Sequence, residues 1–376
     1  MRAFTFFGPM EPTARAREVH RALATEPLAV VFVFGAPELI RAEGLAQALQ
    51  SEFGDVPVVG CSTAGEVCPS GYVANSLTVV GLTAQNFVAS VVRLDAIDQA
   101  TFSDAQRVAR LAEDGLRRQG QPLSTDRSFA LLLTDGVSLA EERLTMWLQR
   151  ALGEVPLVGG SAGDALSFKE THVLSEGRLW TSAALLVCLR SQVPFRIIRT
   201  QHFRPTERKL VVTAARPRER LLLELDGLPA AQAFAQAIDV PVERLTPAVF
   251  ARHALLVRMG GEGFVRSIRR VEPNDALSTY CAIEEGLVLT LGRGEQLVEG
   301  LEAALDEADR AIGPLAGVLT FDCILRRLEV ESSDLGAALS AVCRRFNLVG
   351  FSTYGEQTGA VHVNQTFTGV ALGQRR

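Results

Sequence analysis

Three short segments of this chain combine a serine, glycines and a closing acidic residue in the same order. They read VPVVGCSTAGE at 56–66, VPLVGGSAGD at 155–164 and NLVGFSTYGE at 347–356. A glycine-rich turn at the end of a buried strand lets backbone N–H groups approach a ligand closely. No lysine follows the glycines and the acid would repel a phosphate, which argues against a phosphate-binding loop. The combination suits a zwitterion, with the N–H groups on its carboxylate and the acid on its ammonium group.

The second turn also matches the pattern of a hydrolase nucleophile. Residues 159–163 read G-x-S-x-G, in which Ser161 would be the nucleophile between a strand and a helix. The following residues are polar without helical spacing, and the other two turns keep the serine without keeping the pattern. A shared turn geometry explains all three, so we expect no enzyme and leave a serine hydrolase as the least favoured alternative. The acids at the turn ends are then N–H caps or ligands for an amine: Glu66, Asp135, Asp164 and Glu356.

The elements around these turns repeat as well. Each turn follows an apolar strand and a helix and precedes a further apolar strand, as in LAVVFVFG at 28–35, the helical segment 38–53 and LTVVGL at 77–82. Strand–helix–strand units favour parallel pairing with a right-handed crossover. The sequence therefore predicts an α/β fold of repeated β-α-β-β units, with layered sheets and flanking helices.

A region with a different pattern separates the second copy from the third. Residues 195–227 contain short Val, Leu and Ile runs broken by Pro and charged turns, which is typical of hairpins, and short strands continue to residue 294. An amphipathic helix is predicted at 295–313 before the third copy begins. We place the boundary near the start of this region, which gives two domains, 1–198 and 199–376.

Composition and charge exclude several classes of protein. The 376 residues are 47% hydrophobic and 22% charged, as in an ordinary globular protein. A net charge of -5 argues against nucleic-acid binding. No apolar stretch reaches the roughly 18 residues of a membrane-spanning helix. The N-terminus lacks the pattern of a secretory signal and the six cysteines form no C-x-x-C pair, so we expect reduced thiols in the cytoplasm.

Together the motifs resemble the FIST family, a bacterial sensory module with N- and C-terminal halves. The matching segments follow the family's order over nearly the whole chain: GCSTAGEV (60–67), TDG (134–136), GGSAGD (159–164), LDGLPAAQAF (225–234), FDCILR (321–326) and GFSTYGEQ with HVNQT (350–366). The resemblance implies a cytoplasmic sensor of small metabolites such as amino acids. One branch consists of stand-alone proteins that bind haem, sense nitric oxide and control a partner histidine kinase. This bare module is similar to that branch.

The resemblance to that branch directs attention to a haem ligand among the five histidines. Haem iron takes a His, Cys, Met or Tyr side chain. His202 is the strongest candidate, because Phe203 flanks it and Arg204 offers a donor for a haem propionate. Its alternative role is that of a polar residue at a domain boundary. Cys281 is a second-choice thiolate and is otherwise a small buried residue. We therefore predict a haem-binding nitric oxide sensor with His202 on the iron.

The alternative is an amino-acid-binding module without haem, built on the glycine turns. Its ligand-binding residues would be Gly160, Ser161, Asp164, Gly355, Glu356 and Asn364. His362 lies in the same motif as Asn364, where hydrogen bonding within the sheet is its expected role. Under both hypotheses the partner is a histidine kinase or another signalling protein, as in two-component regulation. We expect no nucleic acid or membrane as a partner, and a homo-oligomer is compatible with the sequence.

Overall fold

Three repeated units and one long insertion make up the computed structural model, which describes residues 1–259 and 261–375. Each unit contains an edge strand, a helix, a strand, one or two further helices, a strand, a short hairpin and a final strand. The α/β class and the repeat predicted from the sequence are therefore confirmed. In the described ranges, no helix is both long and apolar enough to cross a membrane.

The first two units follow one another along the chain. The first unit contains β1 (Arg2–Phe7), α1 (Pro12–Leu23), β2 (Leu28–Gly35), α2 (Pro37–Ile40), α3 (Leu45–Phe53), β3 (Val58–Ser62), β4 (Glu66–Cys68), β5 (Gly71–Val73) and β6 (Ser76–Thr83). The second unit contains β7 (Phe87–Asp95), α4 (Phe102–Arg118), β8 (Ser128–Thr134), α5 (Glu141–Leu152), β9 (Leu157–Ser161), β10 (Val173–Ser175), β11 (Arg178–Trp180) and β12 (Ala183–Ser191).

The third unit is interrupted by the insertion directly after its first strand, β13 (Phe195–Gln201). The insertion contains β14 (Phe203–Arg216), β15 (Leu221–Leu225), β16 (Leu228–Pro229), α6 (Ala230–Ile238), α7 (Pro247–Arg252), β17 (His253–Met259), β18 (Glu262–Arg266), β19 (Ile268–Glu272), β20 (Ala276–Thr279) and β21 (Val288–Gly294). The third unit resumes with α8 (Leu297–Ile312), β22 (Leu315–Cys323), α9 (Ile324–Ser332), α10 (Gly336–Phe346), β23 (Leu348–Thr353), β24 (Glu356–Thr358), β25 (Val361–Val363) and β26 (Thr366–Gly373).

Each unit builds a six-stranded sheet and completes it with a hairpin from another unit. The strand orders are β1-β6-β2-β3-β10-β11, β7-β12-β8-β9-β24-β25 and β13-β26-β22-β23-β4-β5. One pair in each sheet is parallel, namely β2 with β3, β8 with β9 and β22 with β23, as the strand–helix–strand pattern predicts. Because each hairpin extends the sheet of a different unit, the three units close into a ring.

The three sheets share one hydrophobic core inside this ring. Phe34, Leu133, Phe321 and Phe351 come from all three units and are buried in it together. The rings of Phe34 and Phe351 lie 4.7 Å apart, so the first and third units meet directly. Burying a side chain of this size contributes about 1.5–3 kcal/mol. The outer faces of the sheets are covered by helices of their own units, which form separate hydrophobic clusters.

The insertion forms its own sheet and returns to its starting point. Its strands have the order β18-β17-β21-β14-β15-β20-β19, with β16 paired to β15. Phe203 at its beginning pairs with Gly294 at its end. The predicted boundary at 198/199 falls inside β13, which pairs along its length with β26 near the end of the chain. The division into 1–198 and 199–376 therefore stays a prediction from the sequence. In the structure, strands from both parts belong to the same sheets.

Candidate functional site

The three glycine turns meet at the centre of the ring. The carbonyl oxygen of the serine in each turn accepts a hydrogen bond from the turn of another unit, at 3.0 to 3.2 Å. The donors and acceptors are Ala64 to Ser352, Gly163 to Ser62, and Tyr354 to Ser161. The position recurs because its backbone carries this contact, which does not depend on the serine side chain. The turns are therefore first of all the joint between the units.

The acid that closes the first and third turns is committed to its own unit. Glu356 is fully buried and accepts hydrogen bonds from the hydroxyl group of Thr353 and from the N–H and hydroxyl groups of Thr366. Glu66 likewise accepts from Thr63 and Ser76, each at 2.5 Å. Burial raises the pKa of Glu356 to about 8 and that of Glu66 to about 7. Because these contacts occupy both carboxyl oxygens, the geometry does not favour the predicted use of Glu356 as a ligand for an ammonium group.

Asp164 has a different position and an equally complete set of partners. Its carboxylate accepts the N–H groups of Phe168, Lys169 and Glu170, at 2.7 to 3.0 Å, and the hydroxyl group of Tyr354. It thereby holds the loop that leads from the second turn to β10. In the second unit, the carboxylate that contacts the start of the final strand is Asp135, which accepts from the N–H of Ser182 at 2.6 Å. Asp164 thus has the geometry of the N–H cap, one of the two roles predicted for it, and its use as an ammonium ligand stays a prediction.

Ser161 is buried and lacks the surroundings of a nucleophile. Its Oγ accepts a hydrogen bond from Gln357 Nε2 at 2.9 Å. A serine nucleophile needs a general base at this position, and an amide cannot take up a proton. Gly160, beside it, is required for packing, because a Cβ there would lie 2.5 Å from Cγ2 of Thr353. This arrangement favours a contact residue over a catalytic one.

Ser161 belongs to a buried polar group that we call the His362 cluster, formed by Ser161, Gly355, Gln357, His362 and Asn364. Gln357 Nε2 lies 3.4 Å from Nδ1 of His362, which makes Nδ1 the acceptor and leaves Nε2 as an N–H donor. Among the described residues, three atoms of this cluster are buried without a hydrogen-bond partner: Gln357 Oε1, His362 Nε2 and Asn364 Oδ1.

Glycine at position 355 makes the His362 cluster possible. A Cβ there would lie 2.5 Å from Nε2 of His362 and 2.9 Å from Nδ2 of Asn364. Asn364 Nδ2 donates to the carbonyl oxygen of Tyr354 at 3.4 Å. The structure thus brings together Ser161, Gly355 and Asn364 from the predicted set and adds two residues that the sequence did not assign to a ligand. These two residues are Gln357 and His362. Their positions in the motifs GFSTYGEQ and HVNQT were the sequence signal that could have identified them.

His362 is neutral at physiological pH. Burial, followed by the charges of Arg220 and Arg266, holds its pKa well below the usual value. The cluster therefore contains one uncharged N–H donor and two amide oxygen acceptors without partners. It lies where the insertion meets the repeated units, because β25 joins the sheet of the second unit, contacts α5 of that unit and also contacts β18 of the insertion.

His202, the predicted iron ligand, is 8% exposed and lies in a chain of buried charges. Its Nε2 is 2.8 Å from Glu329 and its Nδ1 is 3.2 Å from Nη1 of Arg326. Arg326 also donates to Asp322 at 2.7 Å, and Tyr72 donates to the other oxygen of Asp322. Arginine only donates, so Nδ1 is the acceptor and Nε2 carries the proton. Burial lowers the pKa of His202.

The residues around His202 do not fit a haem in this geometry. Coordination needs a nitrogen lone pair, and that of His202 already accepts a hydrogen bond from Arg326. A cavity of 220 Å³ adjoins His202, smaller than the roughly 300–1,000 Å³ of pockets for large organic ligands. The Arg204 side chain is 77% exposed and lies 4.0 Å from Glu295. In the part of the chain that the structure describes, no group of three His, Cys, Asp or Glu side chains is placed to hold a metal.

Cys281, the second-choice thiolate, has the surroundings of a core residue. It is fully buried and its Sγ lies 3.8 Å from the carbonyl oxygen of Val265. Burial raises the pKa of the thiol, which disfavours the thiolate that a metal would need. The packing therefore agrees with its alternative role as a small buried residue.

Comparison with known proteins gives a family and little beyond it. The model of the FIST N domain matches residues 29–228, and that of the FIST C domain matches residues 230–358. No curated protein matches the chain. The crystal structure of cyanuric acid hydrolase from A. caulinodans aligns with 99% of this chain and 99% of its own. Its identity of 8% and TM-score of 0.39 are too low to support an inference.

Proposed function

This chain belongs to the FIST family of sensory domains, and from that premise we propose that it is a small-ligand sensor whose ligand binds at the His362 cluster. The observation that carries the proposal is the set of buried atoms without partners on Gln357, His362 and Asn364. Each such atom costs about 1–3 kcal/mol. A bound ligand that supplies the missing partners recovers this cost, and the cluster then has a reason to be polar.

The chemistry of the cluster supports an amino acid as the ligand. The amide oxygens of Gln357 and Asn364 accept hydrogen bonds from an ammonium group, and the Nε2–H of His362 donates to a carboxylate oxygen. Neutral acceptors suit the ammonium group here because Asp164 and Glu356 have committed their oxygens elsewhere. The proposal thus keeps an amino acid as the ligand. The amide oxygens of Gln357 and Asn364 take the place of the acids that the sequence assigned to the ammonium group.

The position of the cluster supports a route for signalling. A ligand that prefers one packing of the insertion against the second unit shifts the population toward that packing. The surface of the insertion would then report occupancy to a histidine kinase or another signalling protein in the cytoplasm. The signalling partner and the cytoplasmic location rest on family membership.

A thermal-shift screen over the twenty amino acids tests the proposal. We expect at least one to stabilise the wild-type protein, by about 2.7 kcal/mol at 100 times its dissociation constant. His362→Ala should fold and lose this response, because the N–H donor is gone. His20→Ala, which removes a histidine from α1, should respond like the wild type. Equal stabilisation of wild type and His362→Ala, or no response of the wild type, would contradict the proposal.

A haem-binding nitric oxide sensor with His202 as the iron ligand is the second candidate, which rests on the family resemblance and for which the cavity beside His202 is small. Binding would require His202 to release Arg326, which would leave a fully buried guanidinium without that contact. We therefore expect protein produced with haem supplied to show no Soret band. A Soret band that is lost in His202→Ala and kept in His253→Ala would reinstate the haem sensor in place of the amino-acid sensor.

A further inference from the structure

The insertion places a charged residue on a strand that contacts the strand of His362. Arg266 is the last residue of β18, and its Nε and Nη1 atoms are buried without a hydrogen-bond partner among the described residues. β18 contacts β25, the strand that carries His362. The charge of Arg266 is also one of the two that lower the pKa of His362. Arg266 therefore belongs to a strand that packs against the strand of His362, and two of its guanidinium nitrogens donate to nothing in the described chain.

Arg220, the other cation near His362, shows how an arginine with a structural role is held in this region. Its Nη2 lies 2.8 Å from the carboxylate of Glu141 and its Nη1 donates to the carbonyl oxygen of Tyr280. The neighbouring acid, Glu142, accepts from the N–H of Ala282 at 2.9 Å. These contacts neutralise Arg220 and occupy Glu142. In the part of the chain that the structure describes, the Nε and Nη1 atoms of the half-buried Arg266 have no equivalent contact, and buried donors of a charged group are costly to leave without a partner.

We propose that Arg266 is the anion anchor of the ligand site and binds a carboxylate group of the ligand. Charge-assisted hydrogen bonds from guanidinium to carboxylate are the strong pairing for such a donor. The inference rests on the proposed function, because the amide oxygens of the cluster then hold the N–H donors at the other end of the same molecule. The ligand class is a small carboxylate with a neighbouring amino or amide group.

An anchor on the insertion also explains how occupancy is transmitted. His362 and Asn364 belong to the repeated units, whereas Arg266 belongs to the insertion. A carboxylate bound by Arg266 while its amino group is held by the cluster bridges the two bodies. Ligand binding then adds a contact between them that the free protein lacks, and this is the differential interaction that a two-state sensor requires.

The stability of the ligand-free protein separates a ligand anchor from a structural arginine. Arg266→Met keeps most of the side-chain length and removes the charge. We expect its Tm to equal or exceed that of the wild type, because no hydrogen bond is lost. Arg220→Met should lower the Tm, since it leaves the buried Glu141 without its counter-ion. A decrease in Arg266→Met as large as that in Arg220→Met would overturn the proposal.

Titration with the twenty amino acids and their α-carboxamides then tests the chemistry. We expect the carboxylates to bind the wild type at least ten-fold more tightly than the matched amides. Arg266→Met should bind the acids at least ten-fold more weakly and lose the preference for them. Arg258→Met, a control at an exposed position of the neighbouring β17, should behave like the wild type.

The outcomes distinguish this inference from the proposed function. If His362→Ala abolishes binding while Arg266→Met retains affinity and the preference for acids, the cluster is the site and Arg266 is not its anchor. If no amino acid or amide binds the wild type, both proposals fall together.

Discussion

Glu356 is a buried carboxyl group beside the central turns, and its hydrogen-bond partners among the described residues are the neutral Thr353 and Thr366. Burial raises its pKa from 4.5 to about 8, so it is protonated in the folded protein at neutral pH and ionised in the unfolded chain. The folded state therefore binds more protons between these two pKa values. By linkage, the contribution of Glu356 to stability is fully present below pH 4.5 and is lost as the pH rises through about 8.

Glu356→Gln should remove this dependence on pH. Glutamine can accept from Thr366 and donate to the Thr353 hydroxyl, so the contacts survive without a titrating group. At about 1.4 kcal/mol per pKa unit, we expect the variant to be more stable than the wild type by roughly a few kcal/mol at pH 9, with little difference near pH 5. Urea unfolding from pH 5 to pH 9 measures this. Glu207→Gln, a control at an exposed position, should follow the wild-type profile. If Glu356→Gln also had the wild-type profile, Glu356 would already be ionised in the folded protein.

Within the sheets, one strand of each parallel pair depends on a glycine that touches its neighbour. A Cβ at Gly60, Gly159 or Gly350 would lie 1.8 to 1.9 Å from a carbonyl oxygen of the adjacent strand. The close approach recurs because β3, β9 and β23 occupy the same place in the three units. These glycines are therefore determinants of sheet geometry, which explains why they mark the repeat in the sequence.

Gly159→Ala should destabilise the protein by about 3 kcal/mol, the upper end of ordinary overpacking, because backbone atoms must move. Gly300→Ala is the matched control, since Gly300 lies inside α8 with no atom within 4 Å of an added Cβ. Alanine is the better helix former, so this variant should gain about 0.5–1 kcal/mol. Denaturant midpoints give both values. If Gly159→Ala left the free energy of unfolding unchanged, the prediction would be wrong, because β8 and β9 could then move apart without loss of stability.

The exchanged hairpins connect the three units of the ring, so we expect the units to unfold together. The hairpin β4–β5 extends the sheet of the third unit, and β24–β25 extends the sheet of the second. A cut at 198/199 therefore removes strands from sheets on both sides. The insertion differs, because its first and last strands are paired with each other and the chain enters and leaves at one point.

This organisation predicts how two fragments of the chain and one deletion variant behave. Residues 1–198 and 199–376 produced separately should each lack native near-UV circular dichroism and should regain it when co-expressed. Replacing 203–294 by a short Gly-Ser linker should leave the ring folded with lower stability, because Phe203 and Gly294 are adjacent. Size-exclusion chromatography with circular dichroism distinguishes the cases. A monomeric 1–198 fragment with a native spectrum would support the predicted domain division instead.

Local patterns in the sequence determined the class of the fold. Continuous apolar runs such as 28–35 indicate strands buried on both faces, and a helix between two such strands leads to parallel pairing. The three turns with a common order of residues predicted the repeat. These features depend on neighbours close in the chain, so they can be seen without the structure.

The exchange of hairpins and the fate of the site residues were decided only by tertiary structure. The hairpin strands have three residues each, too few to show a period, and their partners lie in another unit. His202 resembled a free ligand because its partners Arg326 and Glu329 are 124 and 127 residues away. Asp164 and Glu356 resembled ammonium ligands until the structure showed their oxygens in use. A side chain is available to a ligand only if the folded chain leaves its polar atoms without partners, and that depends on contacts distant in sequence.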